Sequence, residues 1–348
     1  MRSQFTGSTA LADFATQLAD DAKAKEDFMV QTGAMHVEPD APLVIAIDGQ
    51  KFETTRTFRS QVHEALGIPQ RYAERMIEEK PDLYAETLAK WWSHKPANRL
   101  IRTLRGKARA YLSDRYAIID NDQIADQLLP ILAKIPDAQF QALSITDDGM
   151  QIKVVAPRIQ GEVSVGDLVQ LGISARNSET GAGAFALEPL LFQLVCLNGM
   201  IREDQAWKAA HLGGRRDNRG PAWKLDTQRA DAVAAVLKGR DVVNTMLTQD
   251  ALEDFLRPMR EARGIKLGDP VKAVERVVKL GGLTETEQGG VLAHLIQGGD
   301  ISKYGLVNAV TRYSQDIEDF DRADYFERLG HKVLTLPRAE FKELAQAA

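Results

Sequence analysis

The segment from Phe140 to Val155 constrains this chain more than any other. Two alternating runs, Phe140 to Thr146 and Met150 to Val155, flank the pair Asp148-Gly149. An Asp-Gly pair between alternating runs is the strongest short-range signal for a β-hairpin, and a period of two sends successive side chains to opposite faces. The same grammar recurs at Leu43 to Ile47, Asp48-Gly49 and Phe52 to Thr54, and at Leu100 to Leu104, Arg105-Gly106 and Ala108 to Leu112. Glu162 to Val165, Val169 to Ala175 and Ala184 to Leu187 read as further strands, followed by an apolar run from Leu190 to Leu197. Such a chain must build an antiparallel sheet.

Helical periodicity surrounds the strands. Leu11, Phe14, Leu18 and Ala22 predict a helix from Ala10 to Met29. Phe58 to Leu66 is closed by Gly67, and Pro69 and Pro81 open helices through Glu78 and Trp92. Gln123 to Lys134 is another. From Lys224 the pattern is almost wholly helical: Asp226 to Lys238, Val242 to Leu256, Pro270 to Leu280, a Thr284/Glu287 capping box opening a helix to Ile296, Leu306 to Ser314 and Asp321 to Leu329. The expected class is α+β, a central antiparallel sheet with helices followed by a mostly helical C-terminal part. The expected divisions are a helical and hairpin region at 1–93, a β-rich core at 94–223 and a helical region at 224–348.

At 348 residues with 44% hydrophobic content, the chain can bury its own core without disulfide or metal staples. One cysteine gives neither a disulfide framework nor a thiolate cluster, and six scattered histidines form no HxxxH or HxH pair. No metal and no cofactor is expected. No run approaches about 18 apolar residues, so no membrane association is expected. The acidic first 28 residues lack the apolar core of a signal peptide, which points to the cytoplasm. A net charge of −5 argues against a globally basic nucleic-acid binder but leaves room for a local basic field.

That local field is sharpest between Lys95 and Asp120, where seven Lys or Arg residues face two Asp. Arg99, Arg102, Arg105, Lys107, Arg109 and Arg115 are interleaved with Tyr111 and Tyr116. By strand alternation, Lys107 and Arg109 share one face. Cations that neutralise phosphates, beside rings on which bases stack, are what single-strand binding requires; the competing reading is a solvated charged face. A second basic stretch, Arg202 to Arg229, carries Arg215, Arg216 and Arg219 in a Gly-rich loop between Trp207 and Trp223. A loop that closes on a polyanion is one reading, and a surface loop the other.

Weaker signals complete the set. Ser174 to Gly183 could cradle a phosphate on backbone N–H groups, but it has no Walker lysine and reads better as a polar turn tying strands together. Cys196 with His211 and Asn198 would make a nucleophile constellation, yet Cys196 ends an apolar run, where a buried inert thiol is the default. Glu179, Glu188, Glu203 and Asp204 could hold magnesium, as could any acids. Phe58 to Glu79 has helix-turn-helix spacing, but acids at Glu74, Glu78 and Glu79 would repel phosphate, so it reads as a packing module.

Five segments occur in order: Leu66-Gly67-Ile68-Pro69 with Arg71-Tyr72, then Arg109 to Tyr116, Asn177-Ser178-Glu179-Thr180-Gly181, Cys196 to Met200, and Gly305 to Thr311. On these the chain resembles the phage/plasmid-like family catalogued as domain of unknown function 932, from about Phe58 to Leu336. The resemblance implies a setting in phages, plasmids and mobile elements and assigns no catalytic residue. It also suggests distant kinship to single-strand-annealing recombinases, ring-forming proteins with a basic groove. The expectation is therefore a non-enzymatic, oligomeric single-stranded-DNA binder that promotes annealing in recombination or replication. Its phosphate and base contacts would be the residues named above in 99–116 and 215–219. The alternatives are a metal-dependent hydrolase or nuclease built on Glu179, Glu188 and Asn177 around Arg176, and a protein-binding factor of a mobile element.

Overall fold

The computed structural model describes residues 3–194, 198–209 and 225–337. In chain order the elements are β1 (Ser3–Gln4), α1 (Ala10–Ala24), β2 (Lys25–Gln31), β3 (Met35–Val37), β4 (Val44–Ile47) and β5 (Gln50–Thr54). Three helices follow, α2 (Arg56–Leu66), α3 (Gln70–Glu79) and α4 (Pro81–His94), then β6 (Asn98–Leu104), β7 (Lys107–Ser113) and α5 (Asn121–Leu132). Next come β8 (Gln139–Ile145), β9 (Met150–Glu162), β10 (Leu168–Asn177), β11 (Phe185–Gln193), β12 (Asn198–Ile201) and β13 (Trp207–Ala209). The chain continues helical through α6 (Leu225–Met246), α7 (Gln249–Arg263), α8 (Pro270–Gly281), α9 (Glu285–Gly298), α10 (Lys303–Tyr313) and α11 (Phe320–Thr335).

The class is α+β, as expected, but the strands form two sheets. The larger runs β1-β8-β9-β10-β11-β12 with β13 also on β11, all antiparallel. The smaller runs β2-β6-β7-β5-β4-β3 and contains one parallel pair, β5 with β7. One face of the larger sheet packs Ile152, Val154, Ile173 and Leu187 against Phe14 and Leu18 of α1, Ile124 and Leu128 of α5, and Val236 of α6. Its far end joins α7 to α11 in a second core around Leu171, Phe255, Val307 and Leu329. The smaller sheet packs Ile45, Phe52, Ile101 and Tyr111 on Phe58, Tyr84, Leu88 and Trp92 of α2 and α4.

All three hairpins form, for different reasons. Asp48-Gly49 and Arg105-Gly106 have positive φ at both positions, the geometry that matches strand twist in a two-residue loop. Asp148-Gly149 does not. Its glycine is required by crowding, since a Cβ there would stand 2.4 Å from the Asn177 carbonyl oxygen. Two expectations fail. The helix at Ala10 stops at Ala24, and Lys25 to Met29 are strand, pairing with Leu100 to Leu104. The division at 93/94 cuts a sheet, because β6 and β7 pair with β2 and β5, while β1 belongs with β8.

Candidate functional site

The hairpin β6–β7 and the turn after it carry eight of the side chains expected to grip nucleic acid, and the fold separates them. Arg102 is fully buried. Its Nε donates to Asp27 at 3.0 Å, its Nη2 to Asp120 at 2.6 Å and its Nη1 to the Glu179 carbonyl at 3.1 Å. Arg109, also buried, donates to Glu179 Oε2 at 3.0 Å. The register shifts after Arg102, so that Arg102 faces Ala110 while Thr103 faces Ala108. Arg109 is thus the extra residue of a β-bulge, which re-aims a side chain and breaks the alternation that placed it beside Lys107. Arg102 and Arg109 cannot reach a phosphate without abandoning buried carboxylates, so their assignment to nucleic-acid binding is corrected to a structural one.

Glu179 is the hub of this network. It sits at the tip of the turn after β10, 3% exposed, and accepts from Lys25 Nζ and the Asn121 backbone N–H, each at 2.8 Å. Burial works against its charge, but Lys25, Arg109 and Arg102 outweigh burial and hold its carboxyl down at about 2. Lys25 also bonds Asp122 at 2.6 Å. Neighbouring groups of the turn are satisfied too: Ser178 Oγ donates to the Asp148 carbonyl and accepts from the Thr180 and Ala182 N–H groups. Those N–H groups therefore do not form a phosphate cradle. Gln61 clamps the turn from α2, donating to the Thr180 carbonyl at 2.7 Å and accepting from Tyr111 N–H. Asn177-Ser178-Glu179-Thr180-Gly181 is a plug from the larger sheet seated in the smaller one.

The rings meet the same fate. Tyr111 is buried, and burial raises its hydroxyl above the usual phenol range. Tyr116 is half-buried and donates to the Ser178 carbonyl at 3.1 Å. Tyr111 offers no stacking face, and its assignment as a base platform is withdrawn; Tyr116 is tied through its hydroxyl to the turn after β10. Arg105 at the tight turn bonds Asp21 at 2.6 Å, and Lys107 stands 3.8 Å from Glu53. Arg215, Arg216 and Arg219 lie outside the described residues, as do Cys196 and His211.

The open end of the hairpin is different. Successive α4 residues Trp91 and Trp92 point opposite ways: Trp92 is buried, Trp91 is 40% exposed. Lys95 Nζ lies 5.9 Å from the Trp91 ring centre, and the His94 ring meets the indole edge-on at 5.9 Å. Arg99 stacks its guanidinium 4.9 Å from the Tyr111 ring. Arg99 pairs in register with Ser113, so Arg115 follows at this same end. The sequence reading passed over Trp91. Its signal was the Trp-Trp pair itself, because helical neighbours cannot both face the core.

The carboxylates invoked for a hydrolase are consumed as well. Glu188, fully buried, accepts from Arg328 at 2.6 and 2.7 Å, with Arg176 at 3.2 Å. Glu179 and Glu188 would have to give up these partners to bind a cation. Among the described residues, no three His, Cys, Asp or Glu side chains group as a metal centre.

The model of a family described as a domain of unknown function, DUF932, matches residues 108–324, more than half of the chain. This chain belongs to the DUF932 family. The match runs from β7 to the first turns of α11, so the DUF932 segment contains the larger sheet from β8 to β13 and the Glu179 plug. It leaves out Lys25 and Arg102, which complete the plug's socket. No curated protein and no solved structure shows significant similarity. Among the described residues, no helix is long and apolar enough to cross a membrane.

Proposed function

We propose that this protein is a non-enzymatic, cytoplasmic binder of single-stranded nucleic acid, DNA in the first instance, acting at the open end of the β6–β7 hairpin. The observation that carries the reading is the exposed Trp91 indole with the His94 ring and the Lys95 ammonium group against it. A base stacked on such a ring contributes about 1–3 kcal/mol. Lys95 and Arg99 supply the phosphate contacts, and two contacts give a log–log salt slope of about −1.4 on a single strand. One such patch is a weak site. Several copies side by side would multiply it, which is how a contribution to annealing on a mobile element is envisaged.

The test is fluorescence anisotropy of a labelled oligothymidylate, with Trp91→Ala as the variant. Trp91 is at the surface, so its removal leaves the core intact. Binding should weaken about tenfold, matching a loss of roughly 1.4 kcal/mol. Absence of binding by the unaltered protein at about 50 mM salt, where phosphate contacts are strong, removes the reading.

A further inference from the structure

The larger sheet has a second face, and it is polar. Ser144, Gln151 and Arg176 align across β8, β9 and β10, and Lys153, Ser174 and Glu188 align across β9, β10 and β11. Helix α11 lies over them, setting Asp324, Glu327 and Arg328 against the sheet. Most of these groups saturate one another. Glu188 takes both Arg328 guanidinium nitrogens, Lys153 Nζ bonds Glu327 at 2.6 Å and Asp324 at 3.2 Å, and Arg328 Nε bonds Asp324 at 2.7 Å.

The fully buried Ser174 hydroxyl and two neighbours in the other cross-strand row are left over. Gln151 is 6% exposed and its Nε2 donates to Asp324, but its Oε1 accepts from nothing. Arg176 reaches Glu188 through Nε and Nη2 only, at 3.2 and 3.5 Å, and its Nη1 lies beside Gly183, where a Cβ would come within 3.4 Å. Both side chains line a cavity of about 360 Å³ between the sheet and the start of α11. A buried acceptor without a donor costs free energy unless something fills it.

We propose that this cavity binds a free α-amino acid as its zwitterion. The ligand carboxylate sits on Arg176, whose planar fork suits it. The ammonium group donates to Gln151 Oε1. The charged lining, Asp148, Asp321 and Asp324 against Arg176 and Arg328, leaves one excess negative charge, which disfavours a polyanion and suits a ligand that brings its own ammonium group. The rings of Phe320 and Tyr325 form the wall that would face a large apolar side chain. This site is independent of the Trp91 patch.

Isothermal titration calorimetry of the full chain against single amino acids at concentrations up to about 10 mM, enough for weak millimolar binding, tests it. At least one large apolar amino acid should bind. Its carboxamide and its N-acetyl derivative should each bind at least tenfold more weakly. Gln151→Met, close in volume, and Arg176→Ala should weaken binding similarly, and Gln151→Met should keep its urea midpoint near that of the parent. No heat from any amino acid overturns the proposal. So does equal binding of the carboxamide, or binding unchanged in Gln151→Met, a variant whose folding does not depend on the Arg176–Glu188 pair.

Discussion

Glu179 shows what a buried charge does when its partners come from several elements. Lys25 from β2, Arg102 from β6, Arg109 from β7 and the N-terminus of α5 converge on it. Removing one partner of a buried pair costs about 3–5 kcal/mol, because the survivors stay buried and uncompensated. Glu179→Gln should therefore lower the free energy of unfolding by that amount in urea titration. Acid should do the same. The folded carboxyl titrates at about 2, below its ordinary 4.5, so its stabilisation is present in full above about 4.5 and is lost as pH falls towards 2. Urea midpoints measured across that window should fall with pH in the parent and stay flatter in Glu179→Gln. The residue types of this site were visible in the sequence, but their role was not. Seven cations in 26 residues look like an exposed groove until Asp120 of the same stretch turns inward and further carboxylates arrive from positions 27 and 179. The bulge at Arg109 depends on which residue β6 places opposite, a fact of pairing that no strand shows alone.

At the scale of elements, local chemistry was the legible part. Thr284 and Glu287 form the reciprocal capping box, Gly67 closes α2 with φ +69°, and the turns fall where Gly follows Asp or Arg. Lys25 to Met29 were misread because their amphipathic spacing continues that of α1, and only β6 pulls them into a strand. Close helix packing is equally invisible in one chain. A Cβ on Gly330 of α11 would stand 2.2 Å from Thr311 Cγ2 of α10, and Thr311 is itself fixed by a hydrogen bond from Asn198. Gly330→Ala should push α11 away from α10 and destabilise the protein by about 1–3 kcal/mol, the usual cost of overpacking. A drop in urea midpoint checks this, and Gly289→Ala on α9, where a Cβ meets nothing within 4 Å, is the control that should not fall.

For the whole molecule, the family match and the folded unit differ in extent. Residues 108–324 lack β6, the main partner of β7, and lack Lys25 and Arg102. A fragment of those residues would leave Asp120 without its cations, Glu179 with Arg109 alone, and β7 without its neighbour. It should show no cooperative urea transition by circular dichroism, whereas the full chain should. The seating of the Ser178–Thr180 turn between the sheets has one more consequence. The halves cannot swing apart like a jaw without stripping several ions of their counter-charges at once. Anything this protein senses must be answered within side chains and at the margins, by a scaffold that keeps its shape.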